Sequence, residues 1–234
     1  MIKNKKVLWV AMGIFFAVEA TLGVLLQKAS GEYNPIFCFT SVVLACLFCT
    51  SFAEKSVSYL LVQLALICTV CADFFLLMTP VRRQLPAMIF FSVTQLSYFM
   101  LIYLHDDKKL RRAWHVAVRA VLSVFAVILT LAVLGDSADA VAVVSMFYYA
   151  NLITNVVFAF IDFKKLPLLA IGLLLFALCD ALIGLNFLRD YVTVPDGSFI
   201  YKLIHPGFDL AWAFYLPSQA LLSVSLFPFK ARHS

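Results

Sequence analysis

Eight apolar runs, each about long enough to cross a bilayer, dominate the 234-residue sequence. They are Val7–Leu26, Ile36–Ala53, Val57–Met78, Leu85–Leu104, Trp114–Leu134, Asp139–Phe160, Leu166–Leu188 and Phe208–Pro228. The runs are continuous, whereas the strands of a membrane barrel alternate apolar and polar residues. Short breaks separate them: Asn34-Pro35, Thr79-Pro80, Gly135-Asp136 and the minimal loop Ser51–Ser56. The longest break, Arg189–Gly207, is too short for a second, soluble domain. The expected architecture is all-α: a polytopic membrane bundle of eight transmembrane helices, forming one integral membrane domain over residues 1–234.

Composition agrees. Hydrophobic residues make up 64% of the chain, charged residues only 13%, and mean hydropathy is +0.98. A soluble domain of this size cannot hide so much apolar surface. An ordinary soluble enzyme, a disordered chain and a disulfide-stapled secreted domain are excluded. The net charge of +5 includes no basic run interleaved with exposed aromatics, so nucleic acid is not an expected partner.

The basic residues orient the bundle. With a cytoplasmic N-terminus, the inner segments hold Lys3, Lys5, Lys6, Lys55, Lys108, Lys109, Arg111, Arg112, Lys164, Lys165, Lys230 and Arg232. The outer segments hold only Lys28, Arg82, Arg83, Arg189 and Lys202. Both termini are expected in the cytoplasm, at the inner membrane if the source is bacterial. The three N-terminal lysines and the apolar run after them resemble a signal peptide. The run is longer than the usual signal core and lacks a clean cleavage site, so it reads as a retained first helix.

The cysteine pairs Cys46/Cys49 and Cys68/Cys71 have zinc-like spacing. Their helices place them roughly 10 Å apart in depth, too far for Zn–S bonds of ~2.3 Å. They read as small packing residues. His105, His115, His205 and His233 fall at predicted helix ends or in loops. His205 and Asp209 can share a helix face, but Asp209 reads first as a helix N-cap. Arg119 is placed to snorkel toward the inner face.

The informative residues are polar ones inside the runs. A charge there costs ~2.5–3.5 kcal/mol on insertion scales. Glu19, Asp73 and Asp180 lie at or beyond the midplane of helices 1, 3 and 7. Helix 6 carries Ser145, Tyr148, Asn151 and Asn155 as one stripe. Helix 8 carries Asp209, Trp212, Tyr215, Gln219 and Ser223, with Pro217 expected to kink it. Helix 4 carries Ser92, Gln95 and Tyr98. Polar groups from six helices at one depth predict a water-accessible cavity open toward the outer leaflet. Interhelical hydrogen bonding, at ~0.6 kcal/mol per contact, is the competing explanation for single amides. It is weaker for Asp73 and Asp180, for which the sequence offers no base at the same depth. A carboxyl without a cation in such a medium favours its protonated form, the state a general acid requires. The segments Cys71–Leu76 and Leu178–Ile183 resemble one another four helices apart, which suggests two four-helix halves related by a parallel repeat.

At these residues the sequence resembles the YhhN-like lysoplasmalogenase family of polytopic membrane proteins. Leu66–Leu77 resembles a block ending in Gly-Asp, and Met146–Tyr149 with Asn151 a Tyr-rich block. Leu174–Leu185 resembles a Ser-Asp block, and Tyr215–Leu221 a closing Tyr-x-x-x-Gln-x-Leu block. Ala72 stands in place of Gly, Cys179 in place of Ser, and Gln95 where a His is expected, so the chain reads as a divergent member. The resemblance implies hydrolysis of the vinyl-ether bond of lysoplasmalogens to a fatty aldehyde and a glycerophospho-head group. It implies a lipid substrate, a lysophospholipid bearing the vinyl ether, drawn from the bilayer. Asp73 and Asp180 fall on its acidic positions and are the expected catalytic pair. Glu19, Gln95, Tyr148, Asn151, Asn155, Tyr215 and Gln219 are the expected substrate-binding residues. The chemistry requires no metal and no cofactor. A proton-coupled transporter of a lipid or small molecule and a non-catalytic lipid-binding protein are the alternatives.

Overall fold

A computed structural model describes residues 5–28, 34–52, 54, 56–80, 83–188, 195, 197–199, 201 and 208–227. Eight α-helices organise the described residues: α1 Lys5–Lys28, α2 Asn34–Phe52, α3 Val57–Asp73, α4 Gln84–His105, α5 Lys109–Leu134, α6 Ala140–Ile161, α7 Pro167–Leu188 and α8 Leu210–Ser223. Seven of them are long and apolar enough to cross a membrane by length and composition. The chain is an integral, multi-pass membrane protein.

Local chemistry sets the helix ends. Ser56, Asp139 and Asp209 cap α3, α6 and α8 by accepting the N–H of Tyr59, Ala142 and Trp212. Gly135, at φ 51°, ends α5 in a conformation that favours glycine. Its N–H still reaches the Leu131 carbonyl before a 3₁₀ turn over Gly135–Ser137. Asp209 is therefore the cap expected from the sequence. His205, its proposed partner, lies outside the described residues, as do His233 and most of the long break before α8.

Two boundaries differ from the hydropathy windows. Helix α5 begins at Lys109 rather than Trp114, because its basic first turn is helical but polar. Helix α8 covers 14 residues, about 21 Å of rise. That is less than the ~30 Å hydrocarbon core, and its last turn gives way to a turn over 224–226. Helix α3 passes directly into a π-helical turn, Phe74–Met78, with Asp73 at the junction. Single π turns within helices are found often at functional sites.

The helices pack in two corresponding sets. Helix α3 lies on α4, and α7 lies on α8. Helix α2 touches α3 and α8, while α6 touches α7 and α4. Exchanging α1–α4 for α5–α8 carries these contacts into one another, whereas the contacts of α8 with α1 and α3 have no counterpart. Leu66, Leu101, Leu152, Leu173, Phe176 and Leu222 fill the centre. At Gly172 an added Cβ would lie 2.9 Å from the Leu222 side chain and 3.3 Å from its backbone nitrogen. Glycine thus lets α7 and α8 approach closely, and Ser218 Oγ donates to the Gly172 carbonyl there at 2.8 Å. Val121, Val124, Phe125, Ile128 and Val133 on α5 stay exposed, as a hydrocarbon-facing surface requires.

Candidate functional site

Each of the two acids has a tyrosine partner. Asp73 ends the α-helical part of α3, and Tyr215 Oη on α8 donates to its Oδ2 at 2.5 Å. Asp180 sits near the end of α7, and Tyr148 Oη on α6 donates to its Oδ2. Asp73 is buried, Asp180 is partly exposed, and the two are near enough to interact electrostatically. The second oxygen of each carboxyl carries no hydrogen bond from a described residue. Among the described residues, no Lys, Arg or His lies within ion-pair distance of either.

An aromatic wall links the two tyrosine–aspartate pairs. Phe91 packs 5.5 Å from Tyr148 and 5.8 Å from Phe176, ring centre to ring centre. Phe176 stands edge-on to Tyr215 at 5.7 Å. These buried rings pack against both tyrosines. Cys38 on α2 and Cys179 beside Asp180 complete the surroundings, both fully buried.

Gln219, one turn beyond Tyr215, is fully buried, and neither its Oε1 nor its Nε2 has a partner. Burying an unsatisfied amide atom costs ~1–3 kcal/mol. This amide lies one helical turn from the tyrosine that holds Asp73.

The other expected residues fall into two separate places. Glu19 on α1 is buried and accepts a hydrogen bond from Ser41 Oγ on α2. It shares the neighbourhood of Cys38 with Asp73 but is no part of the tyrosine–aspartate pairs. Gln95, Asn151 and Asn155 form a second network. Asn155 Nδ2 donates to the Gln95 carbonyl at 2.8 Å and to its Oε1 at 2.9 Å.

That network corrects two readings of the sequence. Arg119 does not snorkel. It is buried on α5 and donates through Nη1 to Asn151 Oδ1 and through Nη2 to Asn155 Oδ1. Its guanidinium carbon lies 4.3 Å from the Phe99 ring centre, a cation–π contact. His115 is not at a helix end. It lies within α5, 1% exposed, stacked on Phe158 at 3.7 Å. Helix α5 supplies the stripe His115, Arg119 and Ser123. Their four-residue spacing carries the signal, obscured when Trp114 is taken as the helix start. Ser41, the partner of Glu19, carries no signal in the sequence, since a lone serine in an apolar helix says nothing about its neighbour.

The cysteines are all free. No group of three or more His, Cys, Asp or Glu side chains able to hold a metal occurs among the described residues.

No curated protein and no solved structure matches the chain. The family model described as YhhN family matches residues 33–226, a stretch that carries both tyrosine–aspartate pairs, Gln219 and the arginine network, and the chain belongs to the YhhN family.

Proposed function

We propose that this chain is a membrane hydrolase that cleaves the vinyl-ether bond of lysoplasmalogen-type lipids. The observation that carries the reading is the pair Asp73 and Asp180, two carboxyls linked by one aromatic wall, each held by a tyrosine hydroxyl and unpaired with any described base. Membership of the YhhN family supports a hydrolase.

The chemistry follows from the carboxyls. One, protonated, delivers its proton to the outer alkene carbon of the vinyl ether. The carbon bound to the ether oxygen then becomes an oxocarbenium-like cation. The second carboxyl, ionised, faces that cation and takes a proton from the water that attacks it. As the hemiacetal breaks its C–O bond, the second carboxyl returns the proton to the departing glycerol oxygen, which leaves as an alcohol, and the first carboxylate takes the hemiacetal O–H proton, restoring both groups. One water is consumed, and a fatty aldehyde and the glycerophospho-head group are released. Glycoside hydrolysis uses a like pair for a like cation. Tyr148 and Tyr215 hold one oxygen of each carboxyl in place. The free amide of Gln219 supplies a donor and an acceptor for water or a glycerol hydroxyl. Glu19 sits outside the pair and is assigned no step.

The orientation we propose places both termini in the cytoplasm. The Arg111–Asp106–Asp162 ion cluster then lies at the inner face.

The test is to incubate purified protein with lysoplasmenylethanolamine and measure free aldehyde by mass spectrometry. Aldehyde release by wild type, abolished in Asp73→Asn and Asp180→Asn with melting temperatures near wild type, is the expected result. A folded wild-type protein that frees no aldehyde from several vinyl-ether lipids would sink the assignment. The correspondence between the helix sets also fits a proton-coupled carrier. Substrate uptake into proteoliposomes without aldehyde would favour that second reading.

A further inference from the structure

The guanidinium of Arg119 is a cation inside a membrane-spanning helix, 7% exposed, with no carboxylate of a described residue in ion-pair range. Its partners Asn151 and Asn155 are neutral amides. They solvate the charge but do not cancel it, and an uncancelled buried charge is expensive. Two polar atoms beside it are buried and unpartnered: Arg119 Nε and His115 Nδ1. The arrangement holds donors in surplus and lacks an anion.

The same network borders an apolar groove. A shallow apolar groove on the hydrocarbon-facing side of α5 and α6 is lined by Ser123, Val124, Val127, Ile128 and Phe147. Asn151 Nδ2 donates to Ser123 Oγ at 3.1 Å and to the Phe147 carbonyl at 2.8 Å. Tyr148, which holds Asp180, follows Phe147 and precedes Asn151 by one turn of α6. Asn151 thus joins the cation to the rim of the groove, and Tyr148 next to Phe147 leads to Asp180.

We propose that Arg119, set in place by Asn151 and Asn155, binds the phosphate of a single-chain glycerophospholipid. The tail occupies the groove between α5 and α6, and the ether linkage lies at Tyr148 and Asp180. The proposal rests on the hydrolase reading for the position of the ether, and it names the group that a substrate must carry.

The test uses ligands that the reaction does not consume. Calorimetric titration of the purified full chain compares a saturated alkyl-ether lysophosphatidylethanolamine, the matching alkyl glycerol and inorganic phosphate. The lysophospholipid should bind about tenfold or more tighter than the alkyl glycerol, the scale of a charged hydrogen bond. Arg119→Gln should erase that preference, and Arg119→Lys should keep part of it. Equal binding of the two ether lipids by wild type would overturn the proposal, and this arm needs no variant. A folded Arg119→Gln protein that keeps the preference would overturn it too. Inorganic phosphate binding as tightly as the lysophospholipid would assign the site to free phosphate and reject the lipid. A preference for the phosphate without aldehyde release sinks the hydrolase reading and leaves this site standing. Aldehyde release without the preference sinks the site alone.

Discussion

Tyr215 on α8 donates its hydroxyl to Asp73 on α3 across 2.5 Å, and this bond joins the two halves of the bundle at the π turn. Its counterpart, Tyr148 to Asp180, stays within one half, between α6 and α7. The backbone correspondence between halves therefore does not extend to the donors. Asp73 is buried while Asp180 is partly exposed. Different surroundings for two like carboxyls are the usual means of giving one the acid's role and the other the base's.

Removing either hydroxyl tests this asymmetry. Tyr215→Phe leaves a buried carboxyl oxygen without its donor and should lower stability by ~1–3 kcal/mol. Tyr148→Phe, beside a carboxyl with some access, should cost less. Both should reduce aldehyde release by more than their loss of folded protein explains. Thermal melting in detergent, read beside the aldehyde assay, separates the two effects. Equal stability losses would remove the basis for treating the carboxyls as different.

The α7–α8 crossing should be intolerant of bulk. Gly172→Val puts branched carbon where the Leu222 side chain and backbone already lie, and overpacking of this kind costs ~1–3 kcal/mol. Since Tyr215 and Phe176 sit along the same contact, activity should fall with it. Ser218→Ala deletes only the bond to the Gly172 carbonyl. It should cost ~0.6 kcal/mol, the average for a hydrogen bond between membrane helices. A Gly172→Val protein that melts with wild type would show that the helices separate more easily than the contact implies.

How much of this was legible in the sequence follows from what each residue needs to be read. The helices announce themselves by length and hydropathy, and Asp73 and Asp180 by being acids in apolar runs. Tyr148, Asn151, Tyr215 and Gln219 stand out as stripes of helical period. Pairings between helices are another matter. Nothing local tells that Ser41 meets Glu19, or that Gln95 answers Asn155 rather than the carboxyls. Arg119 misleads for a physical reason. A long cationic side chain near a predicted helix end normally reaches water. Here α5 starts five residues earlier than the window, at Lys109 rather than Trp114, and the amides of α6 hold the side chain inside.

Acidification should loosen one face of the bundle first. Asp106, in the loop between α4 and α5, accepts from Arg111 Nε at 2.5 Å and from the Lys108 N–H at 2.9 Å. Arg111 also reaches Asp162 at 2.7 Å, so the α4–α5 loop is tied to the end of α6. The hydrogen bond from Arg111, ahead of the bond from the Lys108 N–H, holds the Asp106 carboxyl below the usual range, against an opposing effect of burial. A depressed carboxyl stabilises the fold at pH values above its unfolded value, near 3.9. That contribution is lost as pH falls through the lower, folded value. The wild-type melting temperature should therefore decline on acidification below about pH 4, and Asp106→Asn should flatten this part of the profile. An unchanged acid slope in Asp106→Asn would show that other carboxyls carry it.

Gln219 offers a test of whether the orphaned amide exists for a ligand. Gln219→Leu replaces two unsatisfied buried polar atoms with hydrocarbon of similar volume and removes a penalty of ~1–3 kcal/mol per group. The variant should melt at or above the wild-type temperature. If the amide meets water or the glycerol hydroxyl of the substrate, the same variant should lose aldehyde release, the trade of stability against function expected at a binding site. Gln219→Glu keeps the shape and one acceptor but places an unpaired carboxyl in a fully buried position, a costly change. It should be impaired in both respects. The informative outcome is the combination: a more stable, less active Gln219→Leu protein marks a binding amide. A destabilised one would show that Gln219 has a structural partner in the folded chain.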